Sequence, residues 1–413
     1  MRLLIVSQYF WPETFIINDL AGRLTGLGHS VTVLTGKPNY PEGKIYEGYT
    51  QQGIQHETLP NNVQIHRVPL RPRHNGGGKN LALNYLSFLA SGLLKFPRLV
   101  RGQKFDALIF FAPSPMTSAL TAVPLKYITG AHFALWIQDL WPESLSATGH
   151  IKNRLILFLV KQIIRLIYAF SDTLLIQSQA FYGPVSRIAA ENKLVYFPNF
   201  SQRNKESQDK LASSIPRPVV ELLANNFSVV FTGNLGTAQA LETIIDAADQ
   251  LRDLSDLKII LIGSGSQSEW THQQVSERHL KNVELPGRFP VALMPELYRH
   301  AQGLLVTLKD EEIFNFTVPS KFQAYLAAAK PIIASINGET ARILRESGAG
   351  YACRAEDAAA LADCIRKLYH SSQEERQAMG QRGLEYFEQH FEMETQVDQL
   401  VKTLKKRIKN RRI

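Results

Sequence analysis

Two cysteines are all that this chain of 413 residues carries. Cys353 and Cys364 have neither metal-ligand spacing nor a nearby histidine, so a reducing compartment is expected. Long apolar runs are also missing. Ala107–Leu125 is uncharged, but Pro113, Pro115 and Pro124 break it, so it reads as strand, loop and short helix. A membrane span needs ~20 unbroken apolar residues. Met1–Val6 is too short for a signal peptide and reads as the start of a strand. No Gly-x-Ser-x-Gly elbow, His-Glu-x-x-His or Asp-x-Asp occurs, and no Gly-x-Gly-x-x-Gly follows the first strand. These absences argue against a serine-hydrolase elbow, a zincin, a metal clamp on a diphosphate and an NAD enzyme.

Acidic residues are absent from Thr58 to Phe105, a stretch that holds Arg67, Arg71, Arg73, Lys79, Lys95, Arg98, Arg101 and Lys104. The formal net charge is +9, and residues 1–190 hold all of it, with 18 Lys and Arg against 9 Asp and Glu. Ile151–Ser171 adds Lys152, Arg154, Lys161 and Arg165, again without an acid. Cations set among Leu, Ile, Phe and Tyr suit an anionic lipid surface. A core helix with snorkelling basic ends is the alternative for Ile151–Tyr168. No helix-turn-helix, zinc-knuckle or RNP-like pattern supports nucleic acid.

The length implies two domains. In the first, Leu3–Ser7, Ser30–Thr35, Ala107–Phe111, Ala134–Gln138 and Thr173–Gln177 read as strands, with a helix over Ile16–Leu27 that ends at Gly28. Residues from Asn199 to about Asn226 turn polar. The alternation then restarts with strands Ser228–Thr232, Lys258–Ile262, Gly303–Thr307 and Pro331–Ser335 and a helix over Leu241–Leu251. This rhythm predicts an α/β chain of parallel, doubly wound sheets. The expected division is residues 1–200, 201–385, and a basic helical tail over 386–413 that crosses back to the first domain. Ligands of such sheets bind outside the carboxyl ends of the strands.

In the second half, three features suggest a phosphate site. Strand Val229–Thr232 runs into Gly233-Asn234-Leu235-Gly236 and then Gln239. Strand Ile259–Ile262 runs into Gly263-Ser264-Gly265. Glycine turns let backbone N–H groups approach a phosphate closely. Thr317-Val318-Pro319-Ser320-Lys321 reads as a helix start, with Pro319 at the entry, Ser320 as its cap and Lys321 at the positive end. Arg288 is a candidate second cation. Each feature alone also reads as an ordinary turn or helix start.

In the first half, Trp136-Ile137-Gln138-Asp139-Leu140-Trp141-Pro142-Glu143 follows a strand. A Trp face beside a carboxylate suits a sugar ring, although Asp139 could equally cap a turn. Ser7-Gln8-Tyr9-Phe10-Trp11-Pro12-Glu13 and Gly36-Lys37-Pro38-Asn39-Tyr40-Pro41 follow the first two strands.

These segments, together with Gly28–Gly36, Pro198-Asn199-Phe200 and Thr317–Lys321, resemble the family 4 GT-B glycosyltransferases over nearly the whole chain, and within them the bacterial WbuB-like surface-polysaccharide enzymes. The resemblance implies two Rossmann-like domains facing a cleft. It implies retaining transfer of a sugar, such as the amino sugar N-acetyl-L-fucosamine, from a nucleotide diphosphate, UDP for instance. The acceptor is then a polyprenyl-diphosphate-linked sugar of O-antigen or capsule assembly, met at the cytoplasmic face of the membrane. No cofactor or metal is implied. Donor contacts fall on Gly233, Asn234, Leu235, Gly236, Gln239, Gly263, Arg288, Pro319, Ser320 and Lys321. Acceptor contacts fall on Tyr9, Trp11, Glu13, Asn39, Tyr40, Trp141 and Glu143, with Asp139 and Lys321 as the catalytic pair. The sequence departs from the family at five places. Asn234 and Gln239 replace an Arg and a Lys, Phe316 and Ala324 replace two Glu, and Gln138 replaces a His. Lys321 with Arg288 is the compensation expected at the diphosphate. Rival readings are a nucleotide-sugar 2-epimerase and a non-catalytic membrane scaffold.

Overall fold

The computed structural model describes residues 1–75, 77–143, 145, 153–203 and 215–411. It divides into two units, Met1–Asn199 with Met393–Ile413, and Phe200–Glu392.

The first unit holds an eight-stranded sheet in the order β3-β4-β2-β1-β5-β6-β7-β8. Its strands are β1 (Arg2–Ser7), β2 (Ser30–Gly36), β3 (Gln55–Thr58), β4 (Gln64–Val68), β5 (Ala107–Ala112), β6 (His132–Ile137), β7 (Thr173–Ile176) and β8 (Leu194–Tyr196). All neighbours pair in parallel except β3 and β4, which form an antiparallel hairpin at the edge. Strands β1, β5 and β6 are covered on both faces, so they read as near-continuous apolar runs rather than alternating ones. Helix α1 (Ile16–Gly26) buries Ile17, Leu20, Ala21 and Leu24. It ends with Gly28 at φ 77°, where the Gly28 and His29 N–H groups donate back to the Thr25 and Leu24 carbonyls. That is the double bond of a Schellman turn, and it needs a residue free of a Cβ penalty at positive φ.

Three more helices of this unit matter: α2 (Gly78–Val100), α3 (Ala122–Thr129) and α4 (Arg154–Phe170). None contains an acidic residue. The exposed large apolar residues of the chain concentrate on them, with Leu94 67 %, Tyr127 65 % and Leu155 66 % exposed. Helix α4 buries Ile164, Ile167 and Tyr168 near its end and leaves Leu155, Ile156, Phe158 and Leu159 in solvent. Lys152 lies outside the described residues. One cation changes place: Arg67 is 0 % exposed, pairs with Glu57 and donates to the Trp11 carbonyl, so it holds the hairpin and is no part of a basic surface. No described helix is long and apolar enough to cross a membrane.

The second unit holds six parallel strands in the order β11-β10-β9-β12-β13-β14. These are β9 (Phe227–Asn234), β10 (Leu257–Ser264), β11 (Val283–Gly287), β12 (Gly303–Thr307), β13 (Ile332–Ser335) and β14 (Gly350–Cys353). The order reverses between β9 and β12, which is where a doubly wound sheet opens a ligand crevice. Helices α5 (Leu241–Asp249), α6 (Met294–His300) and α7 (Ser320–Ala327) surround that point. Both cysteines are buried and unoxidised in this core. The tail is two helices rather than one starting near Glu385: α8 (Gln373–His390) packs in the second unit, and α9 (Met393–Arg411) lies with the first. Arg23 of α1 meets Glu394 of α9 at 3.5 Å.

Candidate active site

The carboxyl ends of β9 and β10 run side by side, with Gly233 opposite Gly263 and Asn234 opposite Ser264. Both glycines have positive φ, 124° and 156°. A Cβ on Gly263 would lie 1.8 Å from the Gly233 carbonyl oxygen, so only glycine permits this approach. The end of β9 is fixed from below. The Thr232 N–H donates to the Tyr325 hydroxyl at 2.9 Å, and the Thr232 hydroxyl lies 2.9 Å from Tyr298 Oη. This buried network ties β9 to α6 and α7 together.

Above it opens a cavity of about 1000 Å³. Gly233, Asn234, Gly263, Arg288, Ser320 and Lys321 line it, as do Arg203, Phe289, Tyr298 and Arg299. Among the described residues that line it, four are cations and none is Asp or Glu. Arg203 pairs with Glu388 and Arg299 with Glu296. Lys321 and Arg288 have no carboxylate partner among the described residues. Such a surplus of positive charge fits an anion.

Lys321 sits in the first turn of α7, where unpaired helix N–H groups add to its charge. Ser320 does not cap this helix; Pro319 holds the cap position, and no side chain bonds there. The Lys321 ammonium lies 3.8 Å from the centre of the Phe231 ring and donates to Gln239 Oε1 at 2.6 Å. Burial lowers its pKa to about 7. Gln239 is held in turn, its carbonyl accepting from the Thr307 hydroxyl of β12. Of the expected donor contacts, Leu235 is a core residue at 1 % exposure, while Gly236, Gln239 and Pro319 are not among the lining residues.

In the first unit, Asp139 follows β6 by two residues and is half-buried. Burial raises its pKa to about 6, and no described residue pairs with it. Glu13 and Asn39 are not placed to meet an acceptor, because both are buried. Glu13 Oε1 accepts from the Asn39 and Tyr40 N–H groups, each at 2.8 Å, and Oε2 from Phe10. The carboxylate therefore clamps the loops after β1 and β2 together. Burial still raises its pKa to about 7. Tyr9 is buried and stacks on Phe15. Trp136 is a core residue, Trp141 is nearly covered, and Trp11, Tyr40 and Glu143 are exposed. No group of three or more His, Cys, Asp or Glu arranged to hold a metal occurs among the described residues.

Sequence reasoning missed Thr232, Tyr298, Tyr325, Phe289, Arg203 and Arg299. The Pro at the start of α6, soon after Arg288, was the available signal for Tyr298 and Arg299.

Residues 15–199 match the family model described as a glycosyl transferase 4-like domain, and residues 226–371 that of glycosyl transferases group 1. The chain is a GT-B glycosyltransferase. It is 27 % identical over 343 residues to the colanic acid biosynthesis glycosyl transferase WcaI of Escherichia coli (strain K12), covering 79 % of this chain and 81 % of that one. It is 26 % identical over 309 residues to the glycosyltransferase WbjE of Pseudomonas aeruginosa, covering 72 % and 74 %. Among solved structures it resembles Anabaena Alr3699/HepE in complex with UDP, with TM-score 0.71, 16 % identity and coverage of 98 % and 100 %. The α,α-trehalose-phosphate synthase of Burkholderia vietnamiensis gives TM-score 0.71 at 12 % identity, with the same coverage. This GT-B transferase thus shares the fold of those two structures.

Proposed function

We propose that this transferase moves a sugar from a nucleoside diphosphate, UDP in the first instance, to a lipid-linked acceptor in surface-polysaccharide assembly. The carrying observation is Lys321, a desolvated amine at a helix start beside two paired glycine turns, in a cavity with no carboxylate among its described lining residues. A diphosphate leaving group gains most from cations and N–H dipoles already in place. Lys321 and Arg288 then neutralise it without a metal. Asp139 orients or deprotonates the acceptor hydroxyl, its raised pKa being suited to a base near neutral pH. The helices α2, α3 and α4, basic or neutral and apolar at the surface, rest on anionic lipid at the inner face of the membrane, where a polyprenyl-diphosphate acceptor presents its sugar. The resemblance of the sequence favours retention of configuration and an amino sugar such as N-acetyl-L-fucosamine.

A 2-epimerase must move protons with acids and bases, and no Asp, Glu or His is among the described residues that line the cavity. The test is release of UDP from a panel of UDP-sugars with polyprenyl-diphosphate-linked acceptors, with product mass followed in parallel. Acceptor-dependent release that survives EDTA supports the proposal. Release that does not depend on acceptor, or that stops with EDTA, overturns it.

A further inference from the structure

Tyr9, Tyr40 and Arg73 come from three loops that leave one edge of the first sheet. Strands β1, β2 and β4 are neighbours and run parallel, so the loops after them emerge together at the carboxyl ends, where ligands of such sheets bind. There the Tyr9 ring stacks on Phe15 with centroids 5.1 Å apart, and Tyr40 tilts against the two at 5.8 and 5.4 Å. The Arg73 guanidinium lies over this cluster, 4.8 Å from the centre of the Tyr40 ring and 5.9 Å from that of Tyr9. Its backbone is fixed as well. The Arg73 N–H donates to Asn39 Oδ1 at 3.1 Å, the Asn39 N–H donates to Glu13, and Asn84 of α2 donates to the Arg71 carbonyl.

What this half-buried guanidinium lacks is a counter-charge. Arg67, on β4, has Glu57, but Arg73 makes no ion pair among the described residues. Glu13 is turned inward to three backbone N–H groups. Glu42, beside the Gly43 whose carbonyl accepts from the His74 N–H, is exposed and makes no ion pair among the described residues either. A planar fork laid on aromatic rings keeps its N–H groups free for phosphoryl oxygens, taken two at a time. Asp139 leaves the same edge of the sheet. It follows β6 by two residues as Tyr9 follows β1, and only β5 lies between those strands, a separation of about 10 Å. We infer that Arg73, carried on Tyr40 and Tyr9, binds the diphosphate of the lipid-linked acceptor, with Asp139 facing the acceptor hydroxyl further along the edge. The inference rests on the acceptor reading above and adds which group of the acceptor the first unit holds. The donor diphosphate has its own cations, Lys321 and Arg288, in the second unit.

Titration calorimetry of the full chain with geranyl diphosphate, UDP being kept saturating so that the donor cavity is filled, tests it. Arg73→Gln should weaken geranyl diphosphate by about tenfold or more and leave UDP affinity unchanged. Arg73→Lys keeps the charge and loses the fork, so it should weaken binding by less, and its loss decides if Arg73→Gln does not fold. Unchanged binding in the variants, or no binding to wild type, overturns the inference. Two further arms separate the sources of phosphate. Inorganic pyrophosphate that binds as tightly as geranyl diphosphate, with the same dependence on Arg73, would make this a site for a free anion and overturn the assignment to the acceptor. Flotation with phosphatidylserine-containing vesicles should be the same for Arg73→Gln and wild type, and its loss would give Arg73 to the membrane surface instead. Wild-type protein that transfers sugar to a polyprenyl-diphosphate-linked acceptor but fails these binding tests overturns the inference alone, whereas absence of transfer to any such acceptor overturns the acceptor reading beneath it.

Discussion

The Lys321 amine is 2.6 Å from Gln239 Oε1, and these two residues come from opposite sides of the switch point between β9 and β12. The amide oxygen aims the amine without neutralising it. The Gln239 carbonyl is itself bonded to Thr307, so the aim is set by the sheet.

Removing that amine should therefore cost donor binding directly. Lys321→Ala loses one charge-assisted contact of roughly 1.5–3 kcal/mol, which is about a 10- to 150-fold rise in the UDP dissociation constant. Gln239→Glu should weaken UDP as well, because a carboxylate both satisfies Lys321 and repels the diphosphate, whereas Gln239→Ala should cost less. Calorimetry with UDP checks the order. A Gln239→Glu protein that binds UDP more tightly than wild type would reverse the argument.

The pH profile should be a narrow bell. Asp139 works as a carboxylate and has a pKa near 6, so activity falls as pH drops through that value. Lys321 binds as an ammonium and has a pKa near 7 in the free protein, so donor affinity falls as pH rises through that value. The maximum of kcat/KM then lies between pH 6 and 7. Asp139→Asn should lower kcat by ~10²-fold with near-normal UDP binding, and flatten the acid limb. Lys321→Met should flatten the alkaline limb. An unchanged profile in either variant removes that residue from its role.

Much of this architecture was legible beforehand because buried parallel strands announce themselves as apolar runs. Gly303–Thr307 matches its expected bounds, and the other expected strands deviate by one or two residues at one or both ends. The hairpin of β3 and β4 was not, since His56, Glu57, Gln64 and Arg67 give an edge ladder no apolar run. Within the site, glycine turns and a helix-start lysine have local signatures, and these led to Gly233, Gly263 and Lys321. Contacts between distant segments have none. That Glu13 turns inward to three backbone N–H groups, or that Arg67 is a buried strut, depends on loops the sequence does not place side by side. The network of Thr232, Tyr298 and Tyr325 spans 93 residues of chain and was invisible for the same reason.

That network yields a stability prediction. Tyr325→Phe leaves the buried Thr232 N–H without its acceptor, which costs about 1–3 kcal/mol. The melting temperature should fall, and UDP should bind more weakly because the β9 turn loses its support. Tyr298→Phe should cost less, since the Thr232 hydroxyl still reaches the Tyr325 hydroxyl at 3.0 Å. Thermal unfolding of the two variants side by side checks this, and equal melting temperatures for Tyr325→Phe and wild type would show the bond to contribute nothing.

Membrane docking should respond to charge and to apolar area separately. Lys95, Arg98 and Arg101 lie at the end of α2 and just beyond it, near the exposed Leu93 and Leu94. Each cation at an anionic leaflet contributes ~1 kcal/mol and is screened within about a Debye length. Changing the three to Glu should abolish flotation with phosphatidylserine-containing vesicles and leave UDP binding intact, because all three lie in the first unit and the cavity lies in the second. Phe158→Asp with Leu159→Asp removes the apolar part on α4, where both side chains stand in solvent. That variant should lose the vesicle binding that survives in high salt while keeping part of the low-salt binding. Wild-type protein that floats equally with neutral and anionic vesicles would remove the electrostatic half of the docking argument, and an unchanged Phe158→Asp, Leu159→Asp protein would remove the apolar half.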